Sequence, residues 1–154
     1  MNVLVLGIGN ILLQDEGAGV RALEAFEDRY SVPEGVELLD GGTSGLQLLQ
    51  ELDGRDALIV LDVVRSGRPP GSLTRLAGDE VPAFLRQKIS PHQLGLADLL
   101  ATARLNGSVP ERLVLLGIEP KTIDTGLELS AEVKAGLPGL ADRLAEELKA
   151  LGAS

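Results

Sequence analysis

Residues Ala57 to Val64 read ALIVLDVV. Apolar side chains occupy both alternating faces of this run, so a strand here must be covered above and below. A sheet lying between two layers of other structure provides that cover. Asn2 to Gly7 (NVLVLG), Val36 to Asp40 (VELLD) and Arg112 to Glu119 (RLVLLGIE) repeat the pattern, and Ser72 to Leu76 is a further strand candidate. Between these runs the apolar spacing changes to a helical one. Val20, Leu23 and Phe26 mark a helix over Glu16 to Arg29. Thr43 is placed to cap another that carries Leu46, Leu49 and Leu52. Gly41 and Gly42 are expected to end the second strand before it. A short helix is expected over Val81 to Arg86 and a longer one from Ser90 to Arg104. Near the C-terminus Val133, Leu137, Leu140, Leu144, Leu148 and Leu151 form a helical stripe. Gly136, Pro138 and Gly139 are expected to weaken or split its first half. Strand and helix alternate, which predicts an α/β fold with a mostly parallel sheet and helices on both faces. At 154 residues, with no linker or repeat, the chain reads as one domain over residues 1–154.

Composition removes several functions. There is no cysteine, which excludes disulfides, thiolate metal sites and a cysteine nucleophile. The formal charge is −9, which argues against phosphate neutralisation and hence nucleic acid, and against an anionic membrane surface. Two Phe and one Tyr give no stacking platform for bases or sugars. No apolar run nears the ~20 residues of a membrane span. Val3 to Ile8 has no basic leader and soon meets Asp15 and Glu16, unlike a signal peptide. A cytoplasmic protein is the expectation.

Sites in open α/β sheets form beyond the carboxyl ends of the strands. Glu16 follows the first strand, Asp40 ends the second, and Asp62 lies near the end of the third. Parallel strands would put all three on one rim. Each has a bland explanation to set beside this. Glu16 suits the first turn of a helix by its charge, and Asp40 before two glycines suits a turn. Asp62 is the hardest to explain as structure, since Leu58, Ile59, Val60 and Leu61 precede it. The one histidine, His92, sits in Ser90-Pro91-His92-Gln93, a capping-box helix start. The positive end of the helix dipole disfavours its protonation. A neutral imidazole binds metals or acts as a base, and with carboxylates it makes a borderline-hard ligand set suited to zinc, nickel or manganese. Gly7-Ile8-Gly9 after a strand also suggests a dinucleotide-binding loop, but Leu12 stands where the third glycine belongs.

The segments VLVLGIGNILLQDEGAGV, LLDGGTSG, LIVLDVV and ISPHQLGLADLL occur in order along the chain. In these it resembles the nickel–iron hydrogenase maturation proteases. The resemblance implies a three-layer αβα sandwich with a mainly parallel sheet. It implies an endopeptidase that removes a C-terminal extension from the nickel-loaded hydrogenase large subunit. The family's metal-contacting positions fall on Glu16, Asp62 and His92, and Asp40 falls in its Asp-Gly-Gly segment, implicated in cleavage or docking. All four are therefore catalytic candidates. Nickel is expected to arrive with the substrate, and another divalent ion such as zinc can take its place in the isolated protein. Cleavage then needs a water polarised by the metal or by a carboxylate such as Asp40. The competing readings are a nucleotide- or small-molecule-binding module with a Rossmann-like sheet, and a generic metallohydrolase.

Overall fold

The computed structural model describes residues 1–42, 49–86, 100–105, 107 and 109–153. Five strands form one sheet: β1 (Val3–Ile8), β2 (Val36–Gly42), β3 (Ala57–Val63), β4 (Leu73–Ala77) and β5 (Arg112–Ile118). Their order across the sheet is β2-β1-β3-β5-β4. The first four in that order run parallel, and β4 alone runs antiparallel, beside β5. The helices are α1 (Ala18–Arg29), α2 (Leu49–Leu52), α3 (Glu80–Arg86), α4 (residues 100–105) and α5 (Ala131–Ala150). A 3-10 turn, Gln14–Gly17, precedes α1.

Pleat alternation divides the apolar residues into two clusters, one on each face. Val3, Val5, Ile59 and Leu61 pack with Ala22 and Phe26 of α1 and with Leu140 and Leu144 of α5. Leu4, Leu6, Leu58 and Val60 pack with Leu52, Leu85, Leu100 and Ala103. The central strands are thus covered twice, which is why their sequences carry no polar alternation. Each fully buried Leu, Ile or Val contributes roughly 1.5–3 kcal/mol by leaving water. At the end of α1, Tyr30 and Arg29 both donate to Asp142 of α5, at 2.5 and 2.9 Å, and tie the two helices of one layer. No helix among the described residues is long and apolar enough to cross a membrane.

Two expectations need correcting. β2 does not stop at Asp40. It continues through Gly41 and Gly42, and the register passes from Gly7 opposite Asp40 to Ile8 opposite Gly42. The extra glycine is absorbed as a bulge while β1 continues to offer a pairing edge. The glycine- and proline-containing start of α5 is not split either: Ala131–Ala150 is one helix. A Cβ on Gly136 would lie 2.8 Å from Ile118 Cδ1 and 3.0 Å from the Gly71 carbonyl oxygen. The missing side chain lets α5 lie tight against the sheet. Pro138 is exposed, where water replaces the one lost backbone bond. Thr43 and Leu46, and the helix start at Ser90, lie outside the described residues; residues 100–105 are helical as expected.

Candidate active site

The strand order reverses at β1. The connection through α1 leads to β2 on one side of it, and the next leads back across to β3 on the other. Helix α1 packs on one face and Leu52 of α2 on the opposite one. Such a reversal opens a crevice at the carboxyl ends of the two diverging strands, here β1 and β3. Glu16 follows β1 and Asp62 is the next-to-last residue of β3.

Four glycines bring these segments together. A Cβ on Gly19 would run into the carbonyl oxygens of both Leu61 and Ile8, and would lie 2.8 Å from Leu61 C. A Cβ on Gly9 would meet the Glu16 carbonyl, and one on Gly17 would lie 2.7 Å from Ile11 Cα. These are backbone-to-backbone approaches that no side chain permits. They seat the start of α1 directly on the end of β3, so the turn bearing Glu16 stands one helical turn from the peptide that precedes Asp62. The spacing that suggested a nucleotide loop is thereby accounted for by packing. Gly7 belongs to the same set, since its Cβ would lie 2.7 Å from the Gly19 carbonyl oxygen.

Both acidic residues are buried, Glu16 to 6% exposure and Asp62 to 0%. The Val63 amide donates to Asp62 Oδ1 at 2.8 Å. Carboxylate oxygens are hard donors of the kind that divalent ions take. The donor set therefore fits a divalent ion by its chemistry. Among the described residues, however, no group of three or more His, Asp or Glu side chains is placed to hold a metal. A complete site needs donors from elsewhere. His92 lies outside the described residues.

Asp40 shares the rim but not the crevice. It stands opposite Gly7, across β1 from β3, and is exposed. By the two-residue strand period it falls on the same face as Leu38, which packs on the α1 side, whereas Asp62 falls on the face of Leu58 and Val60, the other one. Two strand spacings, roughly 9–10 Å, separate β2 from β3. The fold thus sets the turn bearing Glu16 beside the end of β3, while Asp40 stands two strands from β3.

Two further buried carboxylates border the site. Asp15 is 0% exposed and accepts four hydrogen bonds. Burial alone would push its pKa up. Bonds from the Ser130, Thr122 and Lys121 amides and from the Ser130 hydroxyl outweigh burial and hold the carboxyl below its ordinary value. Glu119 Oε1 accepts from the Ser66 amide and hydroxyl at 2.8 and 2.7 Å, pinning the loop that follows β3. Sequence reading did not single out either for a role. Glu119 carries the same signal as Asp62, a carboxylate closing an apolar run. Asp15 is marked only by its place beside Glu16.

Residues 20–147 match the family model described as hydrogenase maturation protease. Hydrogenase 2 maturation protease of Escherichia coli K12 is 44% identical over 153 residues, covering 99% of this chain and 93% of the relative. The hydrogenase expression/formation protein HupD of Rhodobacter capsulatus is 45% identical over 152 residues, covering 97% of this chain and 72% of the relative. The solved structure of the hydrogenase maturating endopeptidase HybD from E. coli superposes with a TM-score of 0.96 at 43% identity, over 100% of this chain and 96% of that one. The nickel–iron hydrogenase maturation protease HybD from Thermococcus kodakarensis does so with a TM-score of 0.78 at 32% identity, over 96% and 99%.

Proposed function

The chain belongs to the hydrogenase maturation protease family, and from that premise we propose how this peptidase selects and cuts its substrate. The substrate is the large-subunit precursor of a nickel–iron hydrogenase, with nickel already installed. The reaction removes its C-terminal extension, in the cytoplasm where such a precursor is made. Glu16, Asp62 and His92 engage the nickel that the precursor carries, so the metal is part of the substrate and not a resident cofactor. A free divalent ion such as zinc competes for the same carboxylates in the isolated protein.

The observation that carries this reading is the seating of Gly19 against Leu61 and Ile8, which sets the turn bearing Glu16 beside the end of β3. A metal met by two carboxylates needs further ligands, and one presented by another protein brings its own. Nickel suits a mixed set of imidazole, carboxylate and substrate thiolate. The absence of cysteine leaves this protein without a thiolate to strip the metal.

Cleavage is hydrolysis of one amide. Water oxygen bonds to the scissile carbonyl carbon, the carbon–nitrogen bond breaks, and a proton reaches the departing amine. Asp40, exposed two residues before the end of β2, takes the water proton and returns it to the amine, an aspartic-type acid–base role. Nickel held by Glu16, Asp62 and His92 would supply Lewis-acid polarisation of the scissile carbonyl.

The test compares nickel-loaded with nickel-free precursor. Cleavage of the loaded form alone is expected, and equal rates on both would end the reading. Glu16→Gln, Asp62→Asn and His92→Ala are each expected to lower cleavage at least a hundredfold. Asp40→Asn is expected to lower the cleavage rate while leaving the preference for loaded precursor in place. Full activity in His92→Ala would remove His92 from the ligand set.

A further inference from the structure

Asp15 is a buried carboxylate that the reading above does not use. Its two oxygens accept from the Lys121 amide at 2.8 Å, the Thr122 amide at 3.0 Å, the Ser130 amide at 2.7 Å and the Ser130 hydroxyl at 2.8 Å. All four donors belong to the segment after β5, more than a hundred residues away along the chain. The same two segments are joined by backbone bonds. The Asp15 amide donates to the Thr122 carbonyl at 3.1 Å, the Gln14 amide to Gly126 at 2.9 Å, and the Gly126 amide to Leu12 at 2.8 Å. The Thr122 hydroxyl donates to Gln14 Oε1 at 2.7 Å.

What these bonds hold is a strained turn. Gln14 has φ +48°, the one positive φ at a non-glycine position among the described residues. Such a conformation persists only where the surroundings hold it. Glu16 is two residues further on, in the same 3-10 turn, and its amide donates back to the Leu13 carbonyl at 3.1 Å. Release of residues 12–15 would therefore release Glu16.

We infer that Asp15 is a positioning residue: its carboxylate clamps the strained 12–15 turn to the 121–130 segment and so fixes the place from which Glu16 meets the substrate's metal. The inference rests on the reading of Glu16 as a residue that engages nickel. An amide is the wrong replacement here, because its NH2 would face N–H donors. A shortened hydrogen-bond set would loosen the turn without moving the sheet.

The experiment measures binding of nickel-loaded and nickel-free precursor, together with cleavage, in Asp15→Asn, Ser130→Ala, Glu16→Gln and the Asp15→Asn/Glu16→Gln double variant. All are assayed well below their melting temperatures. Asp15→Asn is expected to shrink the binding preference for loaded precursor at least tenfold and to slow cleavage in proportion. Affinity for the nickel-free form should stay within twofold, which general loss of folded protein would not spare. Ser130→Ala, which removes one of the four donors, should move both readouts the same way by less, and it serves alone if Asp15→Asn does not fold. In the Glu16→Gln background Asp15→Asn should remove no further preference. A less stable Asp15→Asn or Ser130→Ala protein with wild-type preference and rate, beside a Glu16→Gln protein that has lost both, would overturn the positioning role alone. Wild-type behaviour of Glu16→Gln would overturn the assignment of Glu16 and this inference with it.

Discussion

Gly19 sits inside α1, where ordinary helix propensity favours alanine by about 1 kcal/mol. A reading limited to local structure therefore expects Gly19→Ala to stabilise the protein. The packing expects the reverse. The new methyl would overlap the Leu61 and Ile8 carbonyl oxygens and lie 2.8 Å from Leu61 C. Carbon–carbon contact is comfortable near 3.5–4 Å, so α1 must retreat by about 1 Å. Ala18 and Ala22 on the same helix are fully buried and would lose contacts in that move. Overpacking of this kind costs roughly 1–3 kcal/mol, and more where the obstacle is backbone. After the propensity gain the expected net loss is about 2 kcal/mol. The same retreat displaces the turn bearing Glu16 from Asp62, and a misplacement of about 1 Å is enough to cost a hundredfold in rate. Urea denaturation gives the first quantity, and cleavage of nickel-loaded precursor by the folded variant gives the second. A Gly19→Ala protein that is more stable than wild type and fully active would refute the account of how the site is assembled.

Ser130 both caps α5, through the Val133 amide, and donates to Asp15, so Ser130→Ala should cost about 2 kcal/mol in a urea titration. Pro138→Ala should raise stability by about 2 kcal/mol, since the position is exposed and helical; an unchanged or lower melting temperature would show that the proline ring makes a contact worth keeping. Asp15 titrates below its ordinary value in the folded state, so its contribution is complete above about pH 4 and is lost as pH falls through the folded value. Stability measured from pH 6 down to pH 3 should therefore fall less steeply in Asp15→Asn than in wild type, and parallel curves would deny Asp15 this role.

The architecture follows from period and order. Strands covered on both faces need apolar side chains on both, and β1, β3 and β5 have them through their middles, so both the layers and the rim that carries Glu16, Asp40 and Asp62 can be read along the chain. The errors fall where local preference was outvoted. Gly41 and Gly42 are poor strand residues, yet β1 continued beside them; Gly136 and Pro138 are poor helix residues, yet the first is what lets α5 approach Gly71.

The glycines of the first loop are visible as a pattern, but a pattern does not say what each glycine makes room for. Phosphate and backbone impose the same demand, close approach without a side chain, and only the fold shows that Gly19 meets Leu61. Asp15 and Glu16 are neighbours of the same charge at the same helix start, and nothing within a few residues separates the one that anchors from the one at the crevice. The partners of Asp15 lie 106 to 115 residues away, so its role exists only once β5 has been laid beside β3 and the segment beyond it has returned over the rim. Periodicity and strand ends are properties of neighbouring residues and survive in the linear chain; the fate of a buried charge depends on which distant donors reach it, and that is fixed by the folded chain alone.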